Sequence, residues 1–298
     1  TIENANALLF RLLFNILKVK LVLPILLHRL RFLLFLTLPY LSLGQADAIE
    51  ILNGQAIQGG LLVLKTKPGS KLTINGKKTM VTPQGLAVAG FHRDVTTTFI
   101  VQAKHPNGTT EKLVLKPSTR NYPEQRIDGL PTEMVTPPPV VLERIARDRK
   151  LVIAARAHAS SINAFAGSFS WPVKGIVTGV YGSRRILNGK PRAPHYGIDI
   201  AAPQNTPISA PQDGIVRMVS DLYFTGWTIV LDHGHGVSST FLHLKKTFVS
   251  VGNKIRKGAK IGTVGSTGRS TGAHLDWRIN LFEKRLDPAL VAGPMPSQ

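Results

Sequence analysis

Short strand-like runs separated by glycine and proline constrain the fold of this chain more than any other feature. From Phe169 onward, β-branched and aromatic runs follow one another at close intervals, and no long amphipathic helix is visible after Ser160. Short strands at such spacing, divided by turn residues, are typical of antiparallel β domains. The sequence therefore predicts an antiparallel β domain over residues 169–298.

Residues 49–116 show the same pattern on a smaller scale. Asn75-Gly76 and Asn107-Gly108 predict hairpin turns, because these dipeptides tolerate the positive φ angles of tight turns. His92 and His105 have no carboxylate or histidine partner at ligand spacing, and we interpret them as surface or edge residues. A small β-sandwich is expected here. Its predicted strands are Leu61 to Leu64, Lys71 to Ile74, Leu86 to Ala89 and Thr96 to Ala103.

Residues 117–168 are predicted to be a Pro-rich linker followed by a helix. Proline and threonine are frequent between Pro117 and Pro139, which is typical of a connecting segment. Thr136 suits a helix N-cap with proline at the first helical positions, and an apolar stripe continues to about Ser160. The predicted fold class is therefore all-β dominated, with an N-terminal β-sandwich, a connecting helix and a C-terminal antiparallel β domain.

Residues 1–48 are predicted to be a targeting segment with an apolar upstream extension. Arg29 and Arg31 form a basic region, Phe32 to Leu43 an apolar region, and Ala46 to Ala48 a small-residue cleavage site. These are the three parts of a secretory signal peptide. We expect export to the periplasm or cell envelope with cleavage after Ala48. An uncleaved N-terminal membrane anchor is the alternative.

The charge of the chain predicts an anionic partner or surrounding. The 298 residues carry a formal net charge of +20, with a pI near 10.5. Zinc-finger spacings, RNA-binding aromatic motifs and basic blocks are absent from the sequence, which argues against nucleic acid. An anionic cell envelope explains the charge equally well. The absence of cysteine excludes disulfides and thiol catalysis.

Three short pieces of the C-terminal domain contain the residue types of a hydrolytic zinc site. The first holds His195 and Asp199, the second His243, and the third His274 and Asp276. Catalytic zinc takes three protein ligands from histidine nitrogen and carboxylate oxygen, and leaves a position for water. If the first and third pieces are extended, their even spacings place the members of each pair on one face. Because the helical His-Glu-x-x-His pattern is absent, we predict a metal site built on strands.

At these positions the chain resembles the lysostaphin/LytM-type zinc endopeptidases, which cut peptidoglycan peptides. The resemblance covers about residues 170–290 and includes several further segments in the same order. These segments are Gly179 to Arg184, Ala202 to Pro211, Asp213 to Val216 and Asp232 to Gly236. A single His-x-x-x-Asp pair would be a weak signal, whereas several ordered motifs make a strong one.

The resemblance implies a role for each site residue. His195 and Asp199 would bind zinc, and His243 and His274 would be catalytic. The third ligand falls on Asp276, where the family usually has histidine. Carboxylate oxygen binds zinc at roughly 2.0–2.2 Å, about the distance of histidine nitrogen, so we expect one Zn²⁺ ion to be held. A second carboxylate should acidify the zinc-bound water less than a second histidine would.

Two other motifs of this domain are interpreted as structural. His233 and His235 form a His-x-His pair, but the resemblance places them in a glycine-rich turn away from the metal. The segment from Gly262 to Gly272 looks like a phosphate cradle, yet it lacks the Gly-Lys-Ser/Thr ending of a P-loop. We interpret it as the loop that delivers His274 to the site.

The resemblance implies a zinc-dependent endopeptidase that hydrolyses peptide cross-links of bacterial peptidoglycan through a metal-activated water. Its substrate would be the stem peptides, and its positive charge would concentrate it on the anionic envelope. The alternative is a catalytically inactive LytM-type wall-binding regulator that activates a cell-wall amidase, with a regulatory envelope protein as partner. Every site position holds a residue able to coordinate metal or transfer a proton, which favours the enzyme.

Overall fold

The computed structural model describes residues 49–296, and the predicted signal segment lies outside the described residues. The N-terminal part consists of β1 (Glu50–Asn53), β2 (Leu61–Lys65), β3 (Lys71–Ile74), β4 (Lys77–Thr79), β5 (Leu86–Gly90), β6 (Phe99–Lys104) and β7 (Thr110–Leu115). These strands form two antiparallel sheets, in the orders β1-β2-β5 and β4-β3-β6-β7. Both sheets contribute to one hydrophobic core, which confirms the predicted β-sandwich. The predicted Asn75-Gly76 turn joins β3 to β4, with φ of 49° and 74°.

Strand β2 is buried on both of its faces, which explains its unbroken apolar sequence. Leu62 and Leu64 point into the sandwich core. Leu61, together with Val88 of β5, belongs instead to the core of the C-terminal part. The first sheet is therefore an internal layer with apolar contacts on both sides.

The interpretation of His105 as a surface or edge residue is wrong, whereas His92 is exposed as expected. His105 is buried, and its Nδ1 lies 2.9 Å from the hydroxyl of Ser70. Its Nε2 lies 3.4 Å from a carboxylate oxygen of Glu111. The hairpin of β6 and β7 brings Glu111, six residues further on, to this position, and Ser70 comes from a distant turn.

The connecting part contains β8 (Glu124–Ile127), α1 (Thr132–Val135), a 3₁₀ turn (Pro139–Val141), α2 (Leu142–Arg156) and a second 3₁₀ turn (Ala164–Ala166). Helix α2 follows the Pro139–Val141 turn, and no side chain caps its N-terminus. Thr136 lies at the end of α1, so the expected Thr136 cap is wrong. Val152 and Ala155 pack α2 against the C-terminal part. The domain boundaries at residues 117 and 169 stay predictions.

The C-terminal part contains thirteen further elements. They are β9 (Ile176–Gly179), β10 (Arg184–Leu187), β11 (Lys190–Arg192), β12 (Ile198–Ala201), β13 (Pro207–Ser209), β14 (Gly214–Leu222), β15 (Gly226–Gly234), β16 (Val237–Thr247), β17 (Lys254–Ile255), β18 (Lys260–Val264), β19 (His274–Leu281), β20 (Lys284–Leu286) and α3 (Pro288–Ala292).

Ten of these strands form one antiparallel sheet, as predicted. Its main path runs β17-β14-β15-β16-β19-β12-β9, and β13, β18 and β20 pair beside that path. Strands β10 and β11 form a separate small sheet with β8, which joins β10 in parallel. The segment predicted as a linker therefore contributes a strand to the C-terminal part.

Strand β19 separates the core of the C-terminal part from the candidate site. Leu275, Trp277 and Ile279 are fully buried in the hydrophobic core. Because side chains alternate along a strand, His274 and Asp276 lie on the opposite face. In the part of the chain that the structure describes, no helix has the length and apolar character needed to cross a membrane.

Candidate metal centre

Two carboxylates are brought together by the pairing of β12 with β19. In this antiparallel ladder Asp199 stands directly opposite Asp276. Directly opposed residues have Cβ atoms about 4.5–5.5 Å apart, and like charges in that position are destabilising. Both side chains are buried, which increases the repulsion unless cations compensate it. With this register, positive charge between or beside the two carboxylates is needed to offset their repulsion.

His195 completes a group of three possible ligands, here called the metal cluster (His195, Asp199 and Asp276). Its Nε2 lies 3.1 Å from Oδ1 of Asp199 and 3.5 Å from Oδ2 of Asp276. The candidate ligand atoms all lie within 4.8 Å of one another. His195 is not itself in a strand, because β12 begins only at Ile198. Two backbone hydrogen bonds fix it instead, from its own N–H to the carbonyl of Ser183 and from the Gly182 N–H to its carbonyl.

The metal cluster contains buried polar atoms without hydrogen-bond partners among the described residues. They are Nε2 and Nδ1 of His195 and Oδ1 of Asp199. Nε2 and Oδ1 are close, but they do not meet at the angle of a hydrogen bond. Buried polar atoms are nearly always satisfied, so two atoms that face each other unpaired indicate a missing partner. One imidazole and two carboxylates fit a zinc ion in ligand type and number.

Two arginines hold the carboxylates of the metal cluster from behind. Arg185 donates to Oδ2 of Asp199 at 2.6 Å, which leaves Oδ1 free. Arg278 donates to both oxygens of Asp276, through Nε at 3.0 Å to Oδ1 and through Nη2 at 2.5 Å to Oδ2. Such outer contacts orient ligands and tune their affinity for metal.

The charges of the metal cluster set its protonation states. Burial alone would raise the pKa of Asp276, but Arg278 and His195 outweigh it and hold that pKa well below the ordinary value. Burial likewise opposes the charged form of His195, yet Asp276 and Asp199 overcome it and raise the pKa of His195. In the protein without metal, the two carboxylates therefore stabilise the protonated form of His195. A divalent cation would replace that proton.

Two glycines make room for the carboxylates. A Cβ on Gly197 would come within 2.4 Å of Oδ1 of Asp276. A Cβ on Gly179 would come equally close to Oδ2 of Asp199. Real Cβ atoms do not approach so closely, so both positions require glycine for the present geometry.

The two predicted catalytic histidines lie together beside the metal cluster. The ring centroids of His243 and His274 are 4.8 Å apart, and Nε2 of His274 is 3.9 Å from Oδ1 of Asp199. Nδ1 of His243 lies 2.7 Å from the carbonyl of Thr267, and Nδ1 of His274 lies 2.9 Å from that of Gly272. A carbonyl only accepts, so both Nδ1 atoms carry hydrogen and a neutral ring keeps its lone pair at Nε2.

His243 has two further unusual properties. Its backbone φ is 64°, a left-handed conformation that is uncommon for residues other than glycine. Burial, together with the neighbouring His274, lowers the pKa of His243 to about 4. The ring is therefore neutral at pH 7 and able to accept a proton at Nε2.

The structure also shows what the other histidines of this domain do. His233 is buried, with Nδ1 2.7 Å from the carbonyl of Asp213 and Nε2 2.8 Å from the hydroxyl of Ser239. His235 stacks on Phe165, with ring centroids 4.5 Å apart. Among the described residues, only one group of three histidine or acidic side chains has the spacing of metal ligands, namely His195, Asp199 and Asp276.

Sequence reasoning missed several residues that border the site. Arg278 follows Asp276 by two positions on one strand, a spacing that could have suggested the contact, whereas Arg185 comes from a distant segment without any such signal. Gln125 and Leu130 of the predicted linker line a cavity of about 180 Å³ together with Asp199, His243 and His274. A second cavity of about 520 Å³ lies between His195 and residues 135–137.

Comparison with known proteins identifies the domain. Residues 193–288 match the family described as Peptidase family M23. The crystal structure of a Pseudomonas aeruginosa protein assigned to peptidase M23 superposes with a TM-score of 0.62 and 28% identity, over 81% of this chain and 96% of that one. Residues 193–288 therefore form a peptidase M23 domain, which confirms the resemblance found in the sequence.

Two curated relatives are similar to this domain. DD-carboxypeptidase/endopeptidase Mpg of Neisseria meningitidis is 40% identical over 102 residues, which is 34% of this chain and 24% of that protein. Peptidoglycan DD-endopeptidase ShyA of Vibrio cholerae is 40% identical over 105 residues, which is 35% of this chain and 24% of that protein. The aligned part of the chain thus spans about a quarter of the length of these relatives.

Proposed function

We propose that this protein is a zinc-dependent endopeptidase that hydrolyses the peptide cross-links of peptidoglycan. The observation that carries the proposal is the pair of buried, unpartnered atoms Nε2 of His195 and Oδ1 of Asp199, which face each other beside Asp276. The match to Peptidase family M23 and the names of the two curated relatives support the class of reaction and the substrate.

The metal cluster would hold the zinc ion through one imidazole nitrogen and two carboxylate oxygens. Zinc held there would polarise a carbonyl oxygen and lower the pKa of a bound water. Arg185 and Arg278 keep one oxygen of each carboxylate oriented and offset part of the negative charge. This offset weakens the attraction for a cation, so the geometry favours a site of moderate rather than extreme affinity.

The two histidines beside the metal cluster would move the protons. His243 is neutral and held by Thr267, so its Nε2 takes a proton from the attacking water. His274 is fixed through Nδ1 by the carbonyl of Gly272 and is only partly buried, so its Nε2 can face the substrate. It would donate from Nε2 to the developing oxyanion or the leaving amine only as the doubly protonated ring, whereas the proton that His243 takes up is available for the leaving amine. Nucleophilic Ser or Cys is not required by this arrangement.

The test is digestion of purified cell-wall sacculi with analysis of the released muropeptides by mass. The intact protein should release peptide-cleaved fragments, and a chelator should stop the release until zinc is restored. Asp276→Ala should lose both zinc and digestion. Zinc retained by that variant would contradict the ligand role of Asp276, and digestion unaffected by chelation would refute a metal mechanism.

The alternative of a catalytically inactive regulator makes the opposite expectation. Such a protein would contain no stoichiometric zinc and would leave sacculi intact while stimulating an amidase. Elemental analysis of the purified protein separates the two. The presence of a free donor atom on His195 and Asp199 supports the enzyme.

Export to the periplasm or cell envelope belongs to the same proposal. The charge of +20 and the signal-like composition of residues 29–48 support it. Fractionation of cells that express the complete chain should find the protein in the envelope fraction, shortened at Ala48 if the segment is cleaved. Full-length protein in the membrane fraction would favour the anchor, and cytosolic protein would contradict export.

A further inference from the structure

A third cavity, of about 560 Å³, lies between helix α2 and the strands that carry the site. We call it the arginine cavity. Its charged lining residues are four cations and two acids, namely Arg149, Arg156, Arg278, Arg285, Asp148 and Glu283. Its wall is otherwise largely apolar, with contributions from Val152, Ile153 and Leu242. The cavity therefore combines an excess of positive charge with room for an aliphatic group.

Arg156 is the unusual residue of this cavity, because its side chain is buried without an acidic partner. Arg156 is only 5% exposed, and its Nε has no hydrogen-bond partner among the described residues. Its one side-chain hydrogen bond to the rest of the described chain is long, 3.4 Å from Nη2 to the hydroxyl of Thr240. A buried guanidinium without a counter-charge is costly, since removal from water is not compensated.

Arg285 has the same deficit, and the nearby acids do not relieve it. Nη1 of Arg285 is buried and unpartnered in the described part of the chain. Asp148 is engaged with the backbone N–H of Tyr223, and Glu283 is exposed. Burial, with the nearby charges of Arg285 and then Arg278, holds the pKa of Arg156 well below its ordinary value. In the described part of the chain, neither lining acid therefore forms an ion pair with Arg156 or Arg285.

The arginine cavity adjoins the candidate active site. Ala193, Tyr196, Phe224 and Arg278 line both this cavity and the one that borders His195. Arg278 also holds Asp276 of the metal cluster. The two cavities therefore share a wall at Arg278, and a molecule that extends from the metal cluster along this wall would reach the arginine cavity.

We infer that the arginine cavity binds a free carboxylate of the peptide substrate, with Arg156 and Arg285 as its hydrogen-bond donors. A carboxylate is planar and accepts two hydrogen bonds from a guanidinium, and an amino-acid residue brings the aliphatic stem that the apolar wall accommodates. This inference rests on the proposed function for the identity of the ligand. It adds a specificity site for acidic peptides at a distance from the scissile bond.

The test compares two peptides that differ only in charge. A cross-linked peptidoglycan peptide with free carboxylates and its fully amidated counterpart are titrated into the full chain, with chelator present so that no cleavage occurs. We expect the acidic peptide to bind about tenfold more tightly, as charge-assisted hydrogen bonds are lost in the amide. Equal affinities for the two peptides would overturn the inference.

Variants assign the effect to the cavity. Arg156→Gln should reduce the preference to less than about threefold. Arg147→Gln, an equal charge change at an exposed position of the same helix that does not line the cavity, should leave it unchanged. Arg156→Lys should keep part of the preference, and thermal unfolding confirms that each variant is folded. A preference retained in Arg156→Gln would also overturn the assignment.

The source of the carboxylate is tested with sodium acetate. If acetate raises the Tm of the wild type but not of Arg156→Gln, while the peptides bind equally, the ligand is a free carboxylate and the peptide assignment fails. The outcome is separable from the proposed function. Equal binding with normal digestion of sacculi refutes only the cavity, whereas selective binding without digestion refutes only the enzyme.

Discussion

Two buried His-Asp groups of the same domain differ in how their polar atoms are satisfied. In the pair Asp232 and His233, both ring nitrogens are bonded, and Asp232 accepts from Arg217 and from the Gly234 N–H. In the metal cluster, by contrast, Nε2 of His195 and Oδ1 of Asp199 have no hydrogen-bond partner within residues 49–296. Both groups are buried and built from histidine and aspartate, but the metal cluster has a second carboxylate and unpaired atoms.

The number of hydrogen bonds made by the ring nitrogens therefore separates a structural histidine from a candidate metal ligand. A buried histidine with two protein partners is complete, and binding a metal would require breaking those hydrogen bonds. A histidine that faces acids without hydrogen bonds has a position left for a cation. The following predictions test that distinction, beginning with the largest effect.

The strongest test replaces one histidine of each group. His195→Ala should remove the zinc ion and reduce hydrolysis of sacculi to background, because one of three ligands is lost. His233→Ala should keep one zinc per chain while lowering the free energy of unfolding by about 1–3 kcal/mol, since it removes the partner of the Asp213 carbonyl and leaves Ser239 only its long contact with Trp277. Elemental analysis and urea unfolding measure the two effects. Zinc loss from folded His233→Ala, or zinc retained by His195→Ala, would show that unpaired ring nitrogens do not distinguish a ligand from a structural histidine.

A second test separates the catalytic histidines from the ligands. His243→Ala should retain zinc but lower the rate of muropeptide release by about 10²–10⁴, the usual contribution of general acid-base catalysis. The exposed His92→Ala serves as the control and should match the wild type. If zinc and activity fall together in His243→Ala, then His243 belongs with the metal cluster.

How much of this site the sequence predicts depends on the range of the contacts. His274 and Asp276 lie on one strand, so their alternation predicts a shared face correctly. His195 lies outside any strand, and its position depends on hydrogen bonds with Gly182 and Ser183 that no local pattern reveals. Strands β2, β3, β5 and β6 of the sandwich and its two Asn-Gly turns were predictable because their signals are local, whereas β1, β4 and β7 were not among the predicted strands.

The contacts of the predicted linker were not predictable from its composition. Proline-rich segments are usually solvated, yet Gln125 and Leu130 border the candidate site and β8 pairs with β10. Parallel pairing between distant segments leaves no signature in either one. The same holds for Arg156, whose burial depends on how α2 packs against β14 and β15.

The pH dependence of stability should carry opposite signs at the two groups. Burial lowers the pKa of His233 to about 4, from about 6.5 when unfolded. In this range the unfolded chain therefore binds a proton at His233 that the folded chain does not bind. The free energy of unfolding consequently falls as the pH drops from about 6.5 to 4. At 1.36 kcal/mol per pKa unit, the loss is about 3 kcal/mol. His195, whose pKa is raised, adds stability at low pH that is lost as the pH rises through its folded pKa.

Urea unfolding of the metal-free protein at pH 7.5 and 4.5 measures this effect. His233→Gln, which keeps hydrogen-bonding capacity but does not titrate, should lose less stability on acidification than the wild type. His92→Gln, at an exposed position, should follow the wild type. If the free energies of unfolding of the wild type and His233→Gln fall equally between pH 7.5 and 4.5, then the pKa of His233 is not lowered in the folded state.

The smallest expected effect tests whether the space around Asp276 matters for the metal cluster. In Gly197→Ala the new Cβ would lie 2.4 Å from Oδ1 of Asp276 and 2.8 Å from the carbonyl of Trp277, so the carboxylate must move. We expect zinc affinity to fall about tenfold, the scale of contacts that orient a ligand. Gly272→Ala is the matched control, because a Cβ there meets nothing within 4 Å. Competition titration with a chelator measures both variants; equal affinities would mean that Asp276 binds no metal, since displacing a true ligand cannot leave the affinity unchanged.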